Sequence, residues 1–141
     1  IIIEEFLPGE HAEVEALCES KQIPGYQAER LIIGVDHAEL GARLAAKWKL
    51  PPTLIDAIAG HHDLAKCADP ATQSYAAILS VADYLCGVSG LPSREFADIV
   101  ADDAIWTVAG LSSTDMPDIV YAFFDALDDV EELIGIVGGA A

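Results

Sequence analysis

At 141 residues, with 52% apolar and 22% charged side chains, the chain has the size and composition of one domain with a real core, which excludes a disordered polymer. Only 7 Lys and Arg stand against 24 Asp and Glu, and the resulting charge of −17 argues against nucleic acid or an anionic membrane as a partner. No apolar run approaches the ~20 residues of a membrane span and no stretch has the order of a signal peptide, so the chain reads as cytoplasmic.

Helical spacing accounts for nearly every stretch and two-residue alternation for almost none, which makes the fold all-α. The chain opens on three isoleucines without Met, and the expectation is that the beginning of the domain lies upstream. A helix is predicted from Glu10 to about Lys21, stopping before the turn signal Pro24-Gly25. A short helix from Tyr26 to Ile33 then closes at Gly34. Asp36 is placed to cap a helix running through Trp48, with Glu39 three residues on in a variant of the capping box.

Leu50-Pro51-Pro52 ends that helix, and Pro52 or Thr53 opens the next, which carries Leu54, Ile55 and Ile58 into His61-His62-Asp63. Leu64 to Pro70 reads as a loop. A long apolar helix follows from about Ala71 to Cys86, broken by Gly87 and by Gly90-Leu91-Pro92. Short helices are expected over Ser93 to Val100 and around Trp106. A last helix from Asp115 to about Val137 carries one broad apolar stripe that includes Ile119, Val120, Phe123 and Phe124. Beyond Arg94 there is no basic residue, while acids continue to Glu132. This acidic end serves solubility or faces a basic partner.

Cys18, Cys67 and Cys86 lie far apart in none of the paired spacings of zinc sites or disulfide scaffolds, and read as reduced thiols. Basic residues are scarce near all of them, which disfavours a thiolate nucleophile. Ser80 and Ser112 lack a glycine-framed elbow, and no glycine loop is built to cradle a phosphate. Trp48 and Trp106 read as packing residues.

The informative residues are polar ones on apolar faces. His37 shares a face with Leu40, Gly41 and Leu44. His62 shares one with Ile55, Ile58 and Ala59, and His61 neighbours Leu54, Ala57 and Ile58. Asp83 sits in the most apolar helix, between Leu79 and Cys86. A buried carboxylate must be paired, hydrogen-bonded, protonated or metal-bound. Three imidazoles and one carboxylate on three helices are ligand types that suit iron, manganese, zinc or nickel. The spacing leaves open whether they hold metal or only hydrogen-bond within the core.

Several segments taken in order resemble the HDOD domain, the HD-related output domain of bacterial signalling proteins: Gly34-Val35-Asp36-His37-Ala38-Glu39-Leu40-Gly41-Ala42, Trp48-Lys49-Leu50-Pro51, Ala57-Ile58 with His61-His62, and Val81-Ala82-Asp83. The resemblance is close over residues 1–91 and loose over the trailing acidic helices, 92–141. It implies that the chain is the C-terminal two-thirds of a single HDOD-like domain, an HD-like bundle of about six to eight helices. In catalytic HD and HD-GYP relatives the positions of His37, His61, His62 and Asp83 would be ligands of one or two divalent transition-metal ions. The His-Asp pair that names that superfamily would lie upstream of Ile1. His62-Asp63 is not that pair.

After the double histidine HD-GYP enzymes carry an Asp-Gly and a Gly-Tyr-Pro turn, whereas this chain has Asp63-Leu64-Ala65-Lys66-Cys67-Ala68-Asp69-Pro70. That departure, with the scarcity of basic residues, argues against hydrolysis of a cyclic dinucleotide. The resemblance therefore implies a non-catalytic signalling module that binds a protein partner. The alternative is a metal-dependent phosphohydrolase acting on a nucleotide or phosphate ester, completed by an upstream His-Asp pair.

Overall fold

A computed structural model of the chain describes residues 2–88, 103–112 and 114–126. Among them every regular element is helical. The chain divides into two compact units, residues 1–110 and 111–141. The first holds α1 (Ile2–Phe6), α2 (Pro8–Lys21), α3 (Gly25–Ile32), α4 (His37–Lys47), α5 (Pro52–Gly60), a 3-10 turn (Leu64–Lys66), α6 (Pro70–Val88) and α7 (Asp103–Val108). In the second, residues 116–126 are helical and Phe123 meets Phe124 edge to face. Among the described residues no helix is long and apolar enough to cross a membrane.

Local chemistry explains the boundaries. Pro8 and Pro52 stand in the first turns of α2 and α5, where a missing N–H costs nothing. Gly34, at φ +85°, closes the α3 end in a backbone region that other residues resist. Asp36 caps α4 by accepting the Glu39 N–H at 2.8 Å. The expected reciprocal half of the capping box is not what Glu39 makes, because its carboxylate pairs with Arg43 one turn on. Within the stretch expected as loop, Asp63 accepts the Ala65 N–H to hold the 3-10 turn.

Asp69 then starts α6. Its carboxylate accepts the N–H groups of Ala71 and Thr72 and the Thr72 hydroxyl, and these bonds hold its pKa below the usual carboxylate value. Gly87 does not break α6, which runs through it to Val88. The helix expected over Ser93 to Val100, the turn at Gly90-Leu91-Pro92 and the last helix beyond residue 126 lie outside the described residues.

Within the first unit α2 packs on α1 and α3, α4 on α5, α5 on α6, and α6 on α7. One core cluster joins Val14, Cys18 and Ala28 with Leu17, Ile23, Ile32 and Ile33 around them. Another joins Ala57, Cys67 and Ala76 under Leu64. Many of the buried positions are alanine (Ala28, Ala38, Ala42, Ala45, Ala57, Ala76, Ala77), so helix axes can approach closely. Trp106 is buried and meets Tyr84 edge to face. Trp48 is not a packing residue: it is 66% exposed, because it caps the C-terminus of α4 beyond the last packed turn.

Two glycines set distances. A Cβ at Gly41 would stand 3.1 Å from Ile58 Cγ2, and one at Gly60 only 2.5 Å from Cys67 Sγ. Gly60→Ala should therefore destabilise the fold by about 1–3 kcal/mol through overpacking, outweighing the roughly 0.5–1 kcal/mol that alanine gains in a helix. Urea denaturation of Gly60→Ala in the wild-type and in the Cys67→Ala background checks this. Gly60→Ala should cost much less where Cys67 is alanine, and a Gly60→Ala protein as stable as wild type would refute the contact.

Candidate metal centre

His37 is the first residue of α4, so its backbone N–H has no partner within the helix. Glu29 of α3 supplies one. Its Oε2 accepts the His37 N–H at 2.7 Å and lies 2.9 Å from Nδ1 of the same residue. Glu29 is only 3% exposed, and a buried carboxylate with this double contact fixes the ring: Nδ1–H donates, and Nε2 keeps its lone pair. Beside it Asp36 is buried as well, capping α4 through Oδ1 while Oδ2 pairs with Arg30. Both acids sit at the positive end of the α4 dipole, where negative charge is favoured.

His61 and His62 follow α5 directly. The Asp63 N–H donates to the Gly60 carbonyl at 2.9 Å and turns the chain there. His61 Nδ1 lies 2.6 Å from the Ile58 carbonyl, which can only accept, so this nitrogen carries the proton and Nε2 is free to ligate. The His61 carbonyl in turn accepts the hydroxyl of Ser80, a fully buried residue of α6. That bond sets the position of α6 against α5, and Asp83 comes three residues later, on the same side of the helix.

The three imidazoles face one another. The ring centroids of His61 and His62 are 4.0 Å apart, His37 meets His62 at 4.6 Å nearly perpendicular, and Tyr26 stacks flat on His62 at 4.5 Å. His62 Nε2 and His37 Nε2 are 2.7 Å apart. With the His37 lone pair fixed by Glu29, His62 is the donor of that bond. One ligand atom each from His37, His61, His62 and Asp83 lies within 4.8 Å of the others. The four are partly buried, not fully enclosed as their helical faces suggested.

Burial is the main cause that pushes the His62 pKa down, to about 2, followed by the neighbouring His61 and His37 and by Arg30 and Lys66. Burial also lowers that of His61, helped by His37 and opposed by the Ile58 bond and the Asp83 charge. Both rings are thus kept neutral, the form that binds metal. Three imidazole nitrogens and one carboxylate fit a divalent transition ion, and the outer contacts are those that ligating histidines make: Glu29 behind His37 and a backbone carbonyl behind His61.

All the site residues expected from sequence come together. Asp63 stands apart, exposed and occupied with its turn. Sequence reasoning missed Glu29, Ser80, Tyr26 and Arg30. Only Glu29 left a trace, since it lies on the face of α3 that carries the buried Gly25 and Ala28. Cys18, Cys67 and Cys86 are not joined by disulfides, and burial first, then nearby acids, raises the pKa of Cys67 and Cys86.

The family model of the HDOD domain matches residues 1–64. The matched stretch contains His37, His61 and His62, whereas Asp83 arrives from beyond it. An uncharacterised protein of Treponema pallidum (strain Nichols) is 41% identical over 44 residues, which are 31% of this chain and 9% of that protein. The chain therefore covers a small part of this relative's length. No solved structure matches the chain.

Removing the His37 side chain leaves a buried Glu29 with only a backbone donor, so His37→Ala should cost about 1–3 kcal/mol in urea unfolding. A wild-type midpoint in that variant would contradict the Glu29 contact. Acid should weaken the fold as well. The unfolded histidines bind protons near pH 6.5 and the folded ones resist, so the stability is complete above that pH and declines as pH falls below 6.5, for His62 down to about 2. The slope is at most about 1.4 kcal/mol per pH unit for each ring held neutral. A His61→Gln, His62→Gln variant should show a flatter dependence of melting temperature on pH, and an unchanged slope would contradict the burial of these rings.

Proposed function

We propose that this chain is a non-catalytic signalling module of the cytoplasm, in which His37, His61, His62 and Asp83 hold one divalent transition-metal ion as a clasp and a protein partner reads the resulting surface. The observation that carries this reading is the four protein donors within 4.8 Å of one another. A centre closed by four protein ligands is typical of structural metal sites, whereas catalytic ones keep a position open for water or substrate. The donors come from the start of α4, the end of α5 and the middle of α6, so an ion bound there ties three helices together and stabilises only the folded state.

A phosphohydrolase is the second reading. The partial exposure of the cluster favours it, since the His37 side chain is 26% exposed and a ligand could reach the ion from solvent. An upstream His-Asp pair would then complete the centre and the ion would supply an activated water. Zinc, iron, manganese and nickel all suit this donor set.

Elemental analysis of the protein expressed from its complete reading frame and purified without chelator tests the clasp. We expect about one ion per chain in wild type, none in the His62→Ala, Asp83→Ala variant, and a fall in melting temperature on chelation of wild type alone. A metal-free wild type would refute the clasp. Metal-dependent turnover of bis(4-nitrophenyl) phosphate would refute the non-catalytic reading and support the second.

A further inference from the structure

The chain has only 7 basic residues among 141, yet three of them, Arg30, Arg43 and Lys66, line one open cleft of about 390 Å³. They come from α3, α4 and the 3-10 turn, so the chain fold and not local sequence assembles them. The volume is in the range of small-molecule sites. The cleft also carries apolar surface from α4 and α5, including Ala42, Ile55 and Ala59.

Each cation is held differently. Arg30 is anchored: its guanidinium pairs with the buried Asp36 and lies 5.6 Å from the centre of the Tyr26 ring, leaving further N–H donors for a second acceptor. Arg43 pairs with Glu39 one turn away, with side chains 71% and 51% exposed. A pair so open to water contributes little and yields readily to a competing anion. Lys66 is exposed on the 3-10 turn and enters no ion pair among the described residues. Asp36 and Glu39 also line the cleft, so they offset Arg30 and Arg43 and leave the Lys66 charge as the surplus. In a chain of charge −17, a locally positive recess with an apolar floor is selective for one anionic head on an apolar body.

We infer that this cleft binds a small organic anion, with Arg30, Arg43 and Lys66 holding one carboxylate or phosphate head and Ala42, Ile55 and Ala59 receiving its apolar part. The site lies beside the histidine cluster but needs no metal, so the inference does not rest on the clasp.

Calorimetric titration of the protein with phenyl phosphate, benzoate and inorganic phosphate tests it. We expect saturable binding of phenyl phosphate or benzoate at about millimolar affinity or tighter, weakening with added salt, and weaker binding of inorganic phosphate for want of the apolar part. Tighter phenyl phosphate marks a phosphate head and tighter benzoate a carboxylate, and either supports the site. Lys66→Glu and Arg43→Glu should each weaken binding about tenfold while leaving the melting temperature unchanged, because both side chains are exposed. Absence of saturable binding by both aromatic anions would overturn the inference. So would equal binding by the charge-reversed variants, or loss of binding on treatment with chelator, which would assign the anion to a metal ion.

Discussion

The contact between Glu29 and His37 is the constraint on which the rest of the site depends. One carboxylate oxygen satisfies both the unpaired N–H at the start of α4 and the Nδ1–H of the ring that starts it. A buried carboxylate is tolerable only with such partners, and a helix N-terminus is where its charge is most easily accommodated. The same bond decides three things at once: where α3 ends relative to α4, which way the His37 ring turns, and which nitrogen it offers to the cluster. Asp36 and Arg30 reinforce it from the next position along the chain. The imidazole geometry is thus a consequence of the chain reversal at Gly34 and is not added onto a finished fold.

Distance is the second constraint. Four ligand atoms can gather only if α4, α5 and α6 pack closely, and the small residues between them allow it. Gly41 stands one turn beyond His37 and admits the Ile58 methyl, while Gly60 admits the Cys67 thiol immediately before the histidine pair. Ser80 then fastens α6 to the His61 carbonyl, which sets the height at which Asp83 enters. A core of larger side chains would bury more apolar surface but hold these helices farther apart. The exposed Tyr75 and Ile78 on α6 fit that exchange: bulky side chains stand outside while alanines fill the contacts.

These determinants were unequally legible in the sequence. Asp36 as a cap, Gly34 as a stop and the prolines as starts act within a turn or two, so their chemistry can be read locally, and the all-α class followed from periodicity. The convergence of His37, His61, His62 and Asp83 was suggested by helical faces, because residues at offsets of three, four and seven share a side. Glu29 and Ser80 were not legible as site residues, since their partners lie 8 and 19 positions away and no pattern marks such a bond. Trp48 was misread because hydrophobicity says nothing of whether a helix end is covered. Asp69 was read as the end of a loop and stands just before α6, but its capping of Ala71 and Thr72 was not foreseen.

The field around the cluster completes the physical picture. The chain is strongly acidic, yet Arg30 and Lys66 stand near enough to His62 to help hold its ring unprotonated, and the two other imidazoles act in the same direction. Asp83 opposes them at His61, where it is the negative charge inside the cluster itself. A proton added to His61 or His62 would face the neighbouring imidazoles and little water to solvate it. The His37 and His62 nitrogens share a single N–H between them at 2.7 Å. A divalent ion held by these four residues would take their lone pairs and balance the Asp83 charge. The outer carboxylate and carbonyl are already turned to support it. Burial, the neighbouring imidazoles and, at His62, nearby cations therefore act together to keep His61 and His62 unprotonated beside one acid.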